Sequence, residues 1–75
     1  MSAIYRKRVG RRIKGLRLAL GLSLDTVATR ARIDKSQLSR FENGIRGLSV
    51  WSVVCLAKAL KTSLDWMFLN QKRGR

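Results

Sequence analysis

The feature of this sequence that most restricts its fold is a helical hydrophobic repeat that is interrupted at short intervals. In the first segment, Val9, Ile13, Leu16 and Leu20 are separated by four, three and four residues, which is the spacing of an amphipathic helix. No segment shows the strict alternation of a half-buried β-strand, and a chain of 75 residues can build about one hydrophobic core. The pattern therefore predicts a single all-α domain over residues 1–75.

Capping signals divide the chain into five predicted helices. Ser23 and Asp34 suit helix N-caps, and Gln37 stands three residues after Asp34, where it can complete a capping box. The pair Asn43 and Gly44 tolerates positive φ and is typical of a helix end. Helices are predicted at about residues 5–19, 24–31, 35–42, 50–60 and 64–68, with residues 1–5 as a flexible arm and 70–75 as a basic tail.

Two of the predicted helices depart from ideal helix composition. Gly10 and Gly15 should weaken the first helix by about 1 kcal/mol each relative to Ala. The fourth helix contains β-branched residues, yet its apolar positions follow the helical period. Its core-facing residues are predicted to be Val50, Val53, Val54, Ala57 and Leu60.

The charge of the chain indicates an anionic partner. Seventeen Lys and Arg residues stand against four Asp and Glu residues, so the formal net charge is +13. Self-repulsion of this size destabilises a compact state, and we therefore expect the working partner to be a polyanion. Seven basic residues and no acidic ones fall in the first seventeen positions: Arg6, Lys7, Arg8, Arg11, Arg12, Lys14 and Arg17.

The residue inventory argues against catalysis, metal binding and membrane spanning. With no His and one Cys, the chain lacks the usual zinc ligand sets, and its scattered Asp25, Asp34 and Asp65 suit helix caps and first turns. The lone Cys55 lies among apolar residues and is expected to pack in the core. The longest apolar run, residues 53–57, is far below the roughly 20 residues that span a bilayer. We expect no enzyme activity, no cofactor or metal, and a cytoplasmic, nucleoid-associated protein.

The most specific motif is a pair of short helices joined by a tight turn. Ala28, at the fifth position of the first helix, is small enough to let the second helix approach closely. The segments LSLDTVA at 22–28 and IDKSQLSRFENG at 33–44, flanked in order by 9–17, 56–60 and 63–65, resemble the Cro/phage-repressor (lambda repressor-like) family of DNA-binding proteins. The resemblance implies a five-helix domain in which helices 2 and 3 form the helix-turn-helix.

The resemblance also implies which residues contact double-stranded DNA. Base reading in the major groove is expected from Lys35, Ser36 and Arg40, of which Lys35 and Arg40 suit guanine O6 and N7. Glu42 is expected to be structural, through a hydrogen bond at the helix end or an ion pair with an arginine of the first helix. Contacts to the DNA backbone, or secondary base contacts, are expected from Ser23, Thr26, Arg32, Gln37, Ser39, Asn43, Arg46, Arg6, Lys7, Arg8 and Arg12.

The sequence departs from the family pattern at two positions. Leu24 replaces the Gln with which most members brace the recognition helix and a phosphate, so Ser23 or Thr26 would have to supply that contact. Arg32 replaces the Gly of the turn, which should cost on the order of 1 kcal/mol if the left-handed conformation is kept. A phosphate contact by Arg32 would partly offset this cost.

Apolar residues outside the predicted core stripes bear on oligomerisation. They either complete the core of a small domain or form a homodimer interface on helices 4 and 5, and the residues concerned are Trp51, Leu56, Trp66 and Leu69. A twofold dimer would place two recognition helices about 34 Å apart.

The leading interpretation is a homodimeric, sequence-specific transcriptional regulator, such as a repressor, that reads a pseudo-palindromic operator. Two alternatives stay open: a cationic peripheral-membrane or anion-binding module, and an antitoxin-like interaction subunit whose DNA binding is secondary. A protein partner such as a toxin or RNA polymerase is equally open. Restriction–modification controllers, antitoxins and phage-type repressors all fit the sequence.

Overall fold

The structure, a computed structural model, describes residues 3–63 and 66–67, and this part of the chain is all-α, as predicted. Trp66 and Met67 lie in a π-helical turn, whereas the rest of the predicted fifth helix and the basic tail at 70–75 lie outside the described residues. The predicted bounds of the second and third helices are confirmed. The described helices are α1 Ala3–Ala19, α2 Leu24–Ala31, α3 Lys35–Glu42 and α4 Val50–Ala59.

Side-chain hydrogen bonds mark the starts of α2, α3 and α4. The Thr26 N–H donates to Ser23 Oγ at 3.0 Å and begins α2. The Asp34 N–H donates to Gln37 Oε1 at 3.0 Å and begins α3, and a serine cap of the same kind begins α4. These bonds satisfy amide groups that have no partner inside the helix, which explains why the predicted starts hold.

The start of α1 is a correction to the prediction. The helix begins at Ala3, so the expectation of a flexible arm over residues 1–5 is wrong for residues 3–5. Tyr5 is half-buried against the core, and this packing stabilises the first turn of the helix.

The core collects a buried stripe from every helix. The α1 helix packs against α3, and α2 packs against both α3 and α4, so α3 is held from two sides. Its remaining face is turned away from the core. The buried apolar residues are Val9, Ile13, Val27, Ala28, Ala31, Leu38, Phe41, Val53, Leu56, Ala57, Leu60 and Met67.

The buried side of α4 differs from the prediction. Leu56 is fully buried in the core of one chain, so its assignment to a dimer interface is wrong. Val50, predicted to face the core, is 82% exposed. The buried positions Val53, Leu56, Ala57 and Leu60 follow the i, i+3, i+4, i+7 pattern of a helix face, rotated from the predicted stripe.

Gly10 is where the backbones of α1 and α3 meet. A Cβ atom placed on Gly10 would lie 2.2 Å from the carbonyl oxygen of Phe41 and 2.7 Å from that of Glu42, closer than any side-chain carbon can approach. The sequence marked this glycine only as a weak point of the helix. In the fold it permits the close approach of the two helices.

A buried ion pair fixes α3 on α1. Arg17 Nε donates to Glu42 Oε2 at 2.7 Å and Nη2 donates to Glu42 Oε1 at 3.0 Å, which is the two-bond geometry of a strong arginine–carboxylate pair. The third guanidinium nitrogen, Nη1, donates to the Leu22 carbonyl at 3.0 Å. The expected pairing of Glu42 with an arginine of the first helix is confirmed.

The charge of Arg17 is insensitive to pH over the ordinary range. Hydrogen bonding to Glu42 holds the pKa of Arg17 above its usual value, while burial acts against this rise and charge attraction adds to it. A raised pKa means that the stabilisation is complete below the unfolded-chain pKa and is lost only as pH rises through the folded value. The Arg17 charge therefore persists except in strongly alkaline solution.

Two glycine-to-alanine substitutions in α1 should have opposite effects on the free energy of unfolding. Gly10→Ala drives a methyl group into the carbonyl groups of α3 and should lower it by about 1–3 kcal/mol, as overpacking does. At Gly15 an added Cβ meets no atom within 4 Å, so the gain in helix propensity should raise it. That gain should be about 0.5–1 kcal/mol for Gly15→Ala. Urea unfolding measures both, and equal effects would contradict the contact at Gly10.

Removal of the Glu42 charge should be far more costly than removal of an exposed acid. Glu42→Gln should lower the free energy of unfolding by about 3–5 kcal/mol, because it leaves the buried Arg17 charge unpaired. Replacing both partners, Arg17→Met with Glu42→Leu, should restore much of that loss.

The matched control for Glu42→Gln is Asp25→Asn. It breaks an exposed pair in which Lys35 Nζ lies 3.5 Å from Asp25 Oδ2, and should cost less than about 1 kcal/mol. Thermal and urea unfolding compare the two. If Glu42→Gln proved no more costly than this control, the buried pair would not be what holds α3.

Candidate nucleic-acid interface

The face of α3 that points away from the core carries the predicted base readers. Leu38 and Phe41 are buried at 1% exposure or less, whereas Lys35, Ser36 and Arg40 are all exposed. Ser36 and Arg40 are four residues apart and lie close together on the helix, and Lys35 is exposed in the first turn. This placement is what reading of base edges requires, and the contacts themselves stay a prediction.

The loop after α3 brings another predicted contact beside this surface. Arg46 lines a small open cleft together with Gln37, Arg40 and Gly47. The fold therefore brings Arg46 close to Arg40, although six positions separate them in the sequence. One arginine of α3 and one arginine of the following loop therefore line the same cleft.

The remaining predicted contact residues lie at the surface with different degrees of burial. Polar contacts within the chain occupy some of them, such as the 2.8 Å bond from Ser23 Oγ to Thr26 Oγ1. Asn43 Nδ2 donates to the Ser39 carbonyl at 2.8 Å, which closes the last turn of α3. Thr26, Ser39, Arg6 and Arg12 are half-buried, and Ser23, Arg32, Gln37, Asn43, Arg46, Lys7 and Arg8 are exposed.

Arg12 has a partner inside the fold that the sequence did not indicate. Its Nη1 donates to the Trp66 carbonyl at 3.1 Å, and its guanidinium carbon lies 5.0 Å from the centre of the indole ring. The distance to the ring is that of a cation–π contact, and together with the hydrogen bond it joins two segments that are distant in the sequence. Arg12 therefore holds the 66–67 turn on α1, and its contact with the DNA backbone stays a prediction.

Arg32 has the left-handed conformation expected from its place in the turn. Its φ and ψ are 59° and 43°, and the following Ile33 N–H donates to the Ala28 carbonyl at 3.0 Å. Lys61, after α4, has a similar φ of 54°. Both α2 and α4 are therefore followed by a basic residue in a conformation that favours glycine.

The residues assigned by sequence to a dimer interface differ in exposure where the structure describes them. Trp51 is 70% exposed at the start of α4, beside the exposed Val50. Leu56 is in the core, Trp66 is half-buried against Arg12, and Leu69 lies outside the described residues. Of the four, Trp51 alone presents a large apolar surface within the described part of the chain.

None of the helices in residues 3–63 and 66–67 is both long enough and apolar enough to cross a membrane.

Comparisons with known proteins agree with this geometry. An uncharacterized HTH-type transcriptional regulator of Rickettsia conorii is 37% identical over 60 residues, which are 80% of this chain and 48% of that protein. An uncharacterized transcriptional regulator in the ATPase CF(0) region of Rhodospirillum rubrum is 33% identical over 66 residues, 88% of this chain and 61% of that protein. The chain thus spans about half to three-fifths of the length of these relatives.

Solved structures show the same fold. The restriction-modification controller protein C.AhdI from Aeromonas hydrophila has a TM-score of 0.81 and 33% identity, over 84% of this chain and 96% of that one. An HTH_3 family transcriptional regulator from Vibrio cholerae has a TM-score of 0.82 and 26% identity, over 92% of this chain and 39% of that one.

A family model described as a helix-turn-helix domain matches residues 8–66, which include all of α2, the turn, α3 and α4. The predicted resemblance to Cro and phage repressors is confirmed. The chain belongs to the helix-turn-helix family of DNA-binding transcriptional regulators.

Proposed function

We propose that this chain is the sequence-specific DNA-binding part of a homodimeric transcriptional regulator, with α3 as the recognition helix. The observation that carries the proposal is the two-sided character of α3. Leu38, Phe41 and Glu42 bind it to the rest of the fold, while Lys35 and Arg40 stand on its exposed side. A recognition helix needs this division, because its groove-facing side chains must be free for base edges.

The exposed side chains of α3 have the chemistry of base readers. Arg40 can donate two hydrogen bonds to O6 and N7 of guanine, and Lys35 can donate to the same atoms. Lys35 is paired with Asp25 at 3.5 Å, but the pair is well exposed, so exchange to a base edge costs little. Ser36 accepts or donates and places few limits on its base pair.

The charge of the chain supports binding to the phosphate backbone. A net charge of +13 supplies attraction to DNA of any sequence, which positions the protein and makes its affinity fall steeply with salt. Arg46, beside Arg40, and the exposed Arg8 and Lys7 of α1 are proposed to contribute to this attraction.

Homodimer formation is proposed through the start of α4. Ile45, Val50 and Trp51 are 63%, 82% and 70% exposed, which is unusual for three large apolar side chains near one another in sequence. Pairing about a twofold axis would cover this surface and place the two α3 helices about 34 Å apart, to match half-sites one turn apart. The likeness to a restriction-modification controller protein supports a regulatory role of this type.

A selection of binding sites from a random DNA pool tests the proposal directly. The protein should enrich a pseudo-palindrome, and the complex should survive an excess of random duplex in a gel-shift assay. Sedimentation with anionic liposomes in the absence of such enrichment would instead favour the cationic peripheral-membrane module.

Arg40→Ala should relax the preference at one base pair of each half-site and cost about 1–3 kcal/mol of binding free energy. The matched control is Arg30→Ala, because Arg30 is equally an exposed arginine on a short helix but lies beside Leu60 and Lys61. Binding-site selection with both variants measures the effect. An unchanged preference with Arg40→Ala would remove Arg40 from the base readers.

Arg32→Gly separates the cost of the left-handed turn from a contribution to DNA binding. It should raise the free energy of unfolding by about 1 kcal/mol, because glycine adopts this conformation without strain. If Arg32 contacts a phosphate, the same change should weaken binding to all duplexes. Lys61→Gly is the control and should stabilise the fold to a similar extent with no effect on affinity. Stabilisation by Arg32→Gly with unchanged affinity would show that no phosphate offsets the strain.

A further inference from the structure

A cleft lined by cations lies between α1 and the end of α3, apart from the surface that carries the base readers. It has a volume of about 340 Å³ and opens to solvent. Neither Lys35 nor Arg40 lines it. The lining residues are Lys7, Arg11, Lys14, Glu42 and Asn43.

The three cations of the cleft form a single row on α1. Lys7, Arg11 and Lys14 stand at i, i+4 and i+7, which share one face of a helix. At about 1.5 Å per residue the row extends roughly 10 Å along the helix axis. Each DNA strand carries one charge per about 3.4 Å of the duplex, so the row matches a short run of phosphates better than one isolated anion.

The cleft is built on a close contact between backbones. Gly10, in the same stretch of α1, touches the last carbonyl groups of α3, and a Cβ placed on Gly44 would lie 2.6 Å from Lys7 Cγ. The stem of Lys7 therefore packs on the backbone of Gly44. Packing of this kind reduces the side-chain freedom that is lost when an anion binds.

The positive charge of the cleft is not neutralised within the described residues. Glu42 is the acid in the lining, and its two carboxylate oxygens already bind Arg17. In residues 3–63 and 66–67, the ion pairs are Arg17 with Glu42 and Lys35 with Asp25, and neither involves the row on α1. Like charges at these spacings repel, and an anion in the cleft would relieve the repulsion.

The position of the cleft along α3 fits the wall of a DNA groove. In helix-turn-helix proteins the N-terminal residues of the recognition helix contact base edges. Asn43 follows the other end of α3 and uses one amide hydrogen for the Ser39 carbonyl, which leaves the second for another acceptor. With the start of α3 in the groove, the other end of α3 and the adjacent row on α1 would face the sugar–phosphate strand.

We propose that this cleft binds backbone phosphates next to the bases read by α3, and that Arg11 and Lys14 are phosphate-contact residues. The proposal rests on the proposed function. It assigns the contact of α1 with the DNA backbone to the row of Lys7, Arg11 and Lys14 and not to Arg12, whose side chain is held by Trp66.

The test is the salt dependence of DNA affinity for Arg11→Gln and Lys14→Gln, by fluorescence anisotropy with a selected operator and with a random duplex. Each change should reduce the slope of log affinity against log salt by about 0.9 and weaken both duplexes by the same factor. Arg30→Gln and Lys58→Gln remove the same charges from exposed positions of α2 and α4, and should leave the slope nearly unchanged. Thermal unfolding of all four variants checks that they fold.

The possible results are decisive for the cleft whether or not α3 reads sequence. Slopes equal to those of the control variants would overturn the proposal, and so would an altered base preference with Arg11→Gln. Inorganic phosphate is tested separately, at matched ionic strength. If phosphate raises the unfolding temperature of the unaltered chain but not that of Arg11→Gln or Lys14→Gln, and the DNA slopes are unchanged, the occupant of the cleft is a free anion. If the unaltered chain fails to discriminate between the duplexes, the proposed function fails, while the slopes on random duplex still test the cleft.

Discussion

The buried pair of Arg17 with Glu42 is the interaction on which the orientation of α3 depends. It joins the last turn of α1 to the last turn of α3 by two hydrogen bonds of 2.7 and 3.0 Å, and a third bond reaches the loop before α2 at Leu22. Together with the contact at Gly10, it orients α3 from its inner side. The side chains of Ser36 and Arg40 are exposed on the outer side of α3, away from this packing.

Features that depend on neighbouring residues could be predicted from the sequence. The starts of α2 and α3 follow from Ser23, Asp34 and Gln37, whose hydrogen bonds close within three residues. The left-handed Arg32 follows from the turn that the motif requires. The exposure of the predicted base readers follows in turn, because the helix bounds and the buried Leu38 fix which side of α3 faces outward.

Features that depend on distant segments could not be predicted in the same way. The partner of Arg12 is 54 residues away, and nothing in the spacing of the basic residues distinguishes Arg12 from Arg11. The error at Leu56 has another cause: all but two of the ten residues of α4 are apolar, so the pattern does not fix which side is buried. Gly10 shows its role only when the carbonyl groups of α3 are brought to it.

DNA is proposed to lie against the outer face of α3 and not against the side of the bundle where Arg30 and Lys61 line a cleft. Amide chemical shifts of the isotope-labelled chain, recorded while a selected duplex is added, measure this most directly. We expect the largest changes in α3 and the loop to Arg46, with small changes around Leu20, Arg30 and Lys61, which line a cleft that excludes α3. The largest changes around that cleft, with α3 unaffected, would contradict the account.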